Sequence, residues 1–257
     1  MPQALTSDKN PVLKEVRRAA HRGSLTEDGL AVAEGFHLLD EARASRCEIP
    51  TVIVAEPILD TLPNLPSTRV MIVSEATLAH LSTTEAPQGV ISLVRPRTWT
   101  LDRLLPAHPL LVVLDGLQDP GNAGAVVRAA EAFGATGAVF LKGSVNPYNP
   151  KALRASAGSL FRLPIVSALE ESVLLSALEQ KQVMLYAAVP RGGKLLSDAD
   201  LTGPTALVIG SEGRGVSPSL QEAATALRIP TQRVESLNAA VAAGVMLYEA
   251  SRQRANP

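Results

Sequence analysis

The chain has 257 residues, with 24 basic and 25 acidic side chains for a net charge of −1, and 46% hydrophobic but only 3% aromatic residues. This composition fills a real core and excludes wholesale disorder. Near-neutrality argues against a non-specific nucleic-acid coat, whose affinity comes from neutralised phosphates, and scarce aromatics leave few stacking platforms for single-stranded bases.

The single Cys47 forms no intramolecular disulfide, which points to a reducing cytoplasm. His21, His37, His80 and His108 are scattered without metal-ligand spacing, so no metal is expected. No apolar run reaches the ~20 residues that span a bilayer, and the N-terminus has no apolar signal core. A soluble cytoplasmic protein without a membrane segment is expected.

The first ~95 residues read as a small α/β unit. Asn10-Pro11 opens a helix continued by VLKEVRRAAHR, with proline at the first helical position. A short strand (LAVAEG), a helix (FHLLDEARAS), strands TVIVAE and RVMIVS, a helix (EATLAHLS) and a strand (GVISLV) follow. Their alternation predicts a mostly parallel sheet. RPRTWTLDRLLPAHP, with three prolines, reads as a linker over residues 96–108. A second α/β unit, residues 109–257, starts with the doubly buried strand LLVVLD. A turn GLQDPGN, a helix AGAVVRAAEAFG, a strand AVFLK and a helix KALRASAGSLF opened by Asn149-Pro150 come next. Strands VMLYAAV, TALVIG and LRIP, with a helix after TALVIG, precede the closing helix LNAAVAAGVMLYEASRQR.

Three segments of this second unit can carry chemistry. In LDGLQDPGNAGAVVRAAEAFGA, a buried strand leads through a turn into a helix, placing Asn122 and Arg128 at the carboxyl end of the sheet, where open α/β folds bind ligands. Six residues are close to two helical turns, so both can face one cleft; the competing reading is a structural Asn cap and a solvated Arg. In TALVIGSEGRGVSPSL, a strand runs into Gly210-Ser211-Glu212-Gly213-Arg214-Gly215, where glycines let backbone approach a ligand. The order G-x-x-G-x-G is neither the dinucleotide fingerprint nor a Walker loop, and a mere flexible turn competes with a ligand loop. Glu212 suits a ribose hydroxyl or a cation such as Arg128. In LRIPTQRVESLNAAVAAGVMLYEASRQR, Ser236 and Asn238 sit where the last helix begins; capping accounts for Ser236 and less readily for Asn238.

In this order the segments DPGNAGAVVRAAEAFGA, VIGSEGRGVSP and LRIPTQRVESLNAAVAAGVMLYEASRQR resemble the three motifs of the SpoU (SPOUT-type) RNA 2′-O-ribose methyltransferases, over residues 109–255. NPYNPKALRASAGSLFRLP is similar to members that act on large-subunit ribosomal RNA, and the first ~95 residues, with KEVRR and AVAEGFHLLDEA, resemble their substrate-binding domain. The resemblance implies a C-terminal domain with a parallel sheet and a deep trefoil knot, a homodimer with active sites built across the subunit interface, and S-adenosylmethionine as cofactor. By motif, Gly210, Ile229 and Leu237, with Gly213 and Pro230 beside them, would contact the cofactor. Asn122, Arg128, Glu212, Ser236 and Asn238 would form the catalytic set. Where the family has Val-Ser after the last Asn, this chain has Ala239-Ala240 and lacks a hydroxyl.

Ribosomal RNA is the expected substrate; the alternatives are transfer RNA or a catalytically idle RNA-binding assembly protein on the same fold. A nucleotide-dependent oxidoreductase is disfavoured by the reversed glycine order. Lys14, Arg18 and Arg22 at i, i+4, i+8, with Arg17 beside them, form either a solvated helix face or a phosphate grip, which Lys151, Arg154 and Arg162 would extend.

Overall fold

The computed structural model describes residues 3–4 and 10–255. The chain folds as two compact units, Met1–Arg97 with Tyr148–Arg162, and Thr98–Pro147 with Leu163–Pro257. It therefore passes from one unit to the other three times, after Arg97, Pro147 and Arg162.

The first unit contains β1 (Gln3–Ala4), α1 (Pro11–Arg22), β2 (Ala31–Glu34), α2 (Phe36–Ala44), β3 (Glu48–Ala55), β4 (Arg69–Val73), α3 (Glu75–Leu81) and β5 (Val90–Arg95). Asn10 caps α1, its side chain accepting from the Val12 amide at 2.9 Å, and Gly23 ends the helix with φ +64°. Leu13, Val16, Ala19 and Ala20 recur at helical spacing and are buried, leaving the basic residues outside.

The sheet order is β1-β4-β3-β5-β2. Its pairings are parallel for β1 with β4 and β3 with β4, but antiparallel for β5 with both β3 and β2. The mostly parallel sheet expected from the sequence is thus a mixed one. Helix α3 has seven residues, about 10 Å at ~1.5 Å per residue. It does not carry the chain back across the sheet, so β5 re-enters at the edge where β4 ended, Val90 pairing with Val54.

The second unit contains α4 (Leu101–Leu104), β6 (Leu110–Asp115), α5 (Pro120–Ala132) and β7 (Gly137–Leu141) before the excursion of residues 148–162. That excursion holds α6 (Pro150–Ser156) and α7 (Ser159–Arg162). The sequence predicts a single helix there; Ala157 (φ +47°) and Gly158 (φ +89°) break it, and a Cβ on Gly158 would lie 2.6 Å from the Glu41 side chain. β8 (Ile165–Leu169), α8 (Glu171–Gln180), β9 (Met184–Ala188), β10 (Lys194–Leu195), β11 (Thr205–Gly210), α9 (Pro218–Ala223), β12 (Thr225–Arg228) and α10 (Ala239–Ala255) complete the unit.

Its sheet has the order β10-β12-β9-β11-β6-β7-β8, and every pairing is parallel. The central strands β6, β7 and β11 are buried along nearly their whole length, as strands covered on both faces must be. Among the described residues no helix is long and apolar enough to cross a membrane.

The end of α10 is fixed to this unit by side chains. Arg254 donates to the carbonyls of Leu201 (2.9 Å), Pro109 (2.9 Å) and Gly203 (2.5 Å), and burial holds its guanidinium pKa below the ordinary value. Gln253 accepts from the Leu201 amide and donates to the Ala199 carbonyl and to Glu249. Bonds from Arg252 and Gln253 hold the Glu249 carboxyl down at about 2.

These anchors can be probed by stability. Arg254→Ala takes the donor from the Leu201 carbonyl and one of two donors from the Pro109 and Gly203 carbonyls, which keep Thr205, and is expected to cost about 1–3 kcal/mol, read from the urea midpoint at unchanged m. Glu249 has a folded pKa below its unfolded value of 4.5, so its contribution is complete above that value and fades as pH falls toward about 2. Glu249→Gln should therefore flatten the dependence of stability on pH across that window while leaving its shape near neutrality unaltered.

Candidate functional site

Because β6, β9, β11 and β12 run in one direction, their carboxyl ends, Asp115, Ala188, Gly210 and Arg228, share one edge of the sheet. The chain order reverses between β6 and β11: β7 follows β6 on one side, while β11 lies on the other. Open parallel sheets bind ligands at such a switch point, outside the strand carboxyl ends.

The loop after β11 closes on itself. Ser211 and Gly215 exchange backbone hydrogen bonds of 3.1 and 2.9 Å, and Gly215 takes φ +69°. Gly210 sits against this closure so tightly that a Cβ would lie 2.2 Å from the Gly215 carbonyl carbon and 2.3 Å from the Val216 nitrogen. Glycine is required there by space. Ser217, just past the loop, is pinned by its amide to the Asp115 carboxylate at 2.6 Å, joining the ends of β6 and β11.

Three side chains from three separate segments, the first turn of α5, the loop after β11 and the residues before α10, meet at this edge. Asn238 precedes α10 and is its cap: Oδ1 accepts from the amides of Ala240 (2.9 Å) and Val241 (3.3 Å). This reverses the sequence expectation, which gave the capping role to Ser236. With Oδ1 so engaged, Asn238 donates through Nδ2 to Oδ1 of Asn122 at 3.1 Å. Asn122 in turn donates through Nδ2 to Oε1 of Glu212 at 2.5 Å. Asn122 is not a cap itself, because Asp119 caps α5 by accepting from the Asn122 amide at 2.7 Å. The second Glu212 oxygen has no partner among the described residues and belongs to an exposed side chain.

Beside this chain lies a cavity of about 670 Å³. Ile209, Val216, Leu227 and Met246, all buried, give it an apolar floor. Gly210, Glu212, Gly213, Ile229, Ser236, Leu237 and Asn238 line it as well. Of the residues singled out in the sequence for this unit, Asn122 reaches it through Glu212, Pro230 is outside the lining, and Arg128 is neither in the lining nor bonded to Asn122 or Glu212. Arg128 is exposed. Six residues turn a helix by 600°, leaving Arg128 about 120° from Asn122 around α5, so the two point away from one cleft. Sequence reasoning missed the wall formed by Ala188, Val189 and Pro190. The signal was available: VMLYAAV is a strand whose carboxyl end shares the edge with TALVIG.

In the first unit, the basic residues expected on a binding face divide. Lys14, Arg17 and Arg22 are exposed, and no ion pair holds them among the described residues. Arg18 is held by Glu15 (2.5 Å) and Glu27. Arg154 is turned inward, 2.9 Å from Thr83 Oγ1 and 3.5 Å from Glu34, whose side chain is only 5% exposed. The Glu34 carboxylate also accepts from Ser82, Thr83 and Thr84. Arg162 pairs with Glu41, and Lys151 is exposed on α6.

Two family models match the chain: the SpoU rRNA Methylase family over residues 109–248 and an MRM3-like substrate binding domain over residues 10–92. A Synechocystis protein named an uncharacterized tRNA/rRNA methyltransferase is 36% identical over 98% of this chain and 94% of its own. The Bacillus subtilis 23S rRNA (guanosine(2553)-2′-O)-methyltransferase is 29% identical over 95% of this chain and 97% of its own. Among solved structures, the SpoU methyltransferase AviRb from Streptomyces viridochromogenes in complex with AdoMet superposes with a TM-score of 0.86 at 28% identity, covering 96% of this chain and 99% of that one.

A pair of glycine substitutions tests the loop. Gly210→Ala must displace backbone and is expected to cost about 1–3 kcal/mol in a urea titration. Gly213→Ala meets nothing within 4 Å and should stay within about 0.5 kcal/mol of wild type.

Proposed function

The chain belongs to the SpoU rRNA methylase family, and on that premise we propose that it transfers a methyl group from S-adenosylmethionine to a ribose 2′-hydroxyl of large-subunit ribosomal RNA. Membership makes it an RNA methyltransferase; the sugar oxygen and the ribosomal target are our reading. The observation that carries it is the chain Asn238–Asn122–Glu212 at the lip of the cavity. A binding protein would have no use for three polar groups held in series at the mouth of a ligand site.

The cavity fits the cofactor. Its volume lies within the ~300–1,000 Å³ of small-molecule sites, its floor is apolar and its lip polar. Gly210, Gly213, Ile229 and Leu237 would hold the group, with Pro230 fixing the backbone after Ile229. When bound, S-adenosylmethionine supplies the methyl on a sulfonium, already a good leaving group.

The residues have to align the ribose oxygen and assist loss of its proton. Orientation of reactants alone can contribute ~7–11 kcal/mol. Glu212, oriented through Asn122 and Asn238, offers its free oxygen to the ribose or to a guanidinium. Ser236 lines the same lip as a hydroxyl donor. Arg128 serves as a planar cation and not as a base. It clamps the phosphate 3′ of the target and stabilises the developing alkoxide, while the proton passes to phosphate or water.

Arg128 lies outside the cavity of its own chain, and this supports a homodimer in which a second copy supplies it. Helix α10 exposes Val241, Val245 and Tyr248, 52%, 38% and 54% accessible, in one stripe, and α10 packs alongside α5, with Phe133 and Tyr248 in edge contact at 5.7 Å. The trefoil knot and a cytoplasmic site of action belong to the same proposal. So does an RNA grip on the first unit through Lys14, Arg17 and Arg22, with Arg154 withdrawn because Glu34 and Thr83 occupy it. The Bacillus subtilis relative, matched over nearly its whole length, favours ribosomal over transfer RNA.

Transfer of labelled methyl to unmodified ribosomal RNA, with the product mapped for 2′-O-methylation, tests this reading. Wild type should methylate large-subunit RNA; label in transfer RNA alone would move the substrate, and no label at all would make the protein a binding factor. Arg128→Lys and Glu212→Gln should each lower kcat about 10²–10³-fold. Tyr248→Asp should yield monomers by sedimentation and abolish turnover.

A further inference from the structure

We propose a second anion site, adjoining the cavity, that holds a phosphate of the RNA strand next to the target nucleotide; the inference rests on the reading above. A separate concavity of about 720 Å³ lies between the loop after β9 and the segment that follows β12. Arg191, Arg228 and Arg233 line it, against one carboxylate, Glu235. Glu235 is already bonded to Arg191 at 2.7 Å. The side chains of Arg228 and Arg233 have no hydrogen bond or ion pair among the described residues. The concavity therefore presents two uncommitted guanidinium groups in a chain whose net charge is −1. In a nearly neutral protein, basic charge gathered in one hollow marks where a polyanion is held.

Position gives the hollow its role. Pro190, Arg191, Ile229, Thr231 and Glu235 line both it and the cofactor-sized cavity, so the two share a wall. Glu212 lines the same cavity as that wall, so a strand whose sugar enters at the Glu212 lip has the wall on the rim along which its neighbouring phosphates continue. Planar guanidinium groups match phosphate oxygens in pairs of bonds. The Arg191–Glu235 pair, 76% and 85% exposed, is weak in water. It can release Arg191 to a phosphate as RNA arrives. The site is built from loops, and Gly193 (φ +68°) is packed so that a Cβ would lie 2.6 Å from the Ala226 carbonyl oxygen, which fixes the loop after β9 against β12.

The test uses full-length protein and unmodified large-subunit ribosomal RNA transcript, with binding measured across a range of salt. For single-stranded RNA, every phosphate that the protein ceases to neutralise lowers the slope of log affinity against log salt by ~0.7. Arg228→Gln with Arg233→Gln should weaken RNA binding about tenfold, lower that slope, raise KM for RNA and leave both kcat and S-adenosylmethionine affinity unchanged. Glu235→Gln, which frees Arg191, should tighten RNA binding several-fold. A double variant with unchanged affinity and slope, while wild type methylates RNA, overturns this inference and spares the proposed function. Loss of cofactor affinity in the same variant also overturns it, assigning the hollow to the cofactor. Wild type that neither binds nor methylates RNA removes both.

Discussion

The amides at the start of α10 set the direction of everything polar at the site. A helix N-terminus offers donors only, so the group that caps it must accept. Asn238 does so with Oδ1, which leaves its NH2 as the outward group. Asn122 must then receive with oxygen and give with nitrogen, and a carboxylate is the natural end of the series. Glu212 is that end. Its orientation is thus inherited, through two amide side chains, from backbone geometry that forms with the helix.

The same economy governs the surrounding loops. In an all-parallel sheet every strand delivers its exit loop to one edge, so four segments far apart in sequence converge without long-range design of each contact. What has to be designed is their spacing. Gly210 lets β11 approach its own loop more closely than any side chain would permit, and Asp115 ties that loop to β6 through Ser217. The site is polar where the loops meet and apolar where they rest on Ile209, Leu227 and Met246.

Much of this was legible in the sequence. The buried strands LLVVLD and TALVIG and the Asn-Pro helix starts declared themselves by local chemistry, whereas the segments bearing Asn122, Glu212 and Asn238 were each open to a structural reading until the family resemblance joined them. What did not declare themselves were choices made by tertiary packing. Capping at α10 could be taken by Ser236 or Asn238, and only the partner on α5 decides between them. Six residues looked like two turns, yet the remaining 120° separates Arg128 from Asn122. Strand β5 has the composition of any buried strand, and its antiparallel direction depends on how far α3 travels. Arg154 looked like a surface cation because the sequence cannot reveal that Glu34 is buried opposite it.

The excursion of residues 148–162 into the first unit has a bearing on how this protein could be recombined with its relatives. Replacing residues 1–97 as a block would leave behind α6 and α7, which are part of the first unit's interior. Glu34 would lose its guanidinium and Gly23 the neighbour, Asn149, whose amide nitrogen lies 2.0 Å from where a Cβ would sit. A workable graft has two pieces, transplanted together, and the seam inside the second piece falls within the methylase region itself. Modularity here is a property of space and not of the gene's linear order.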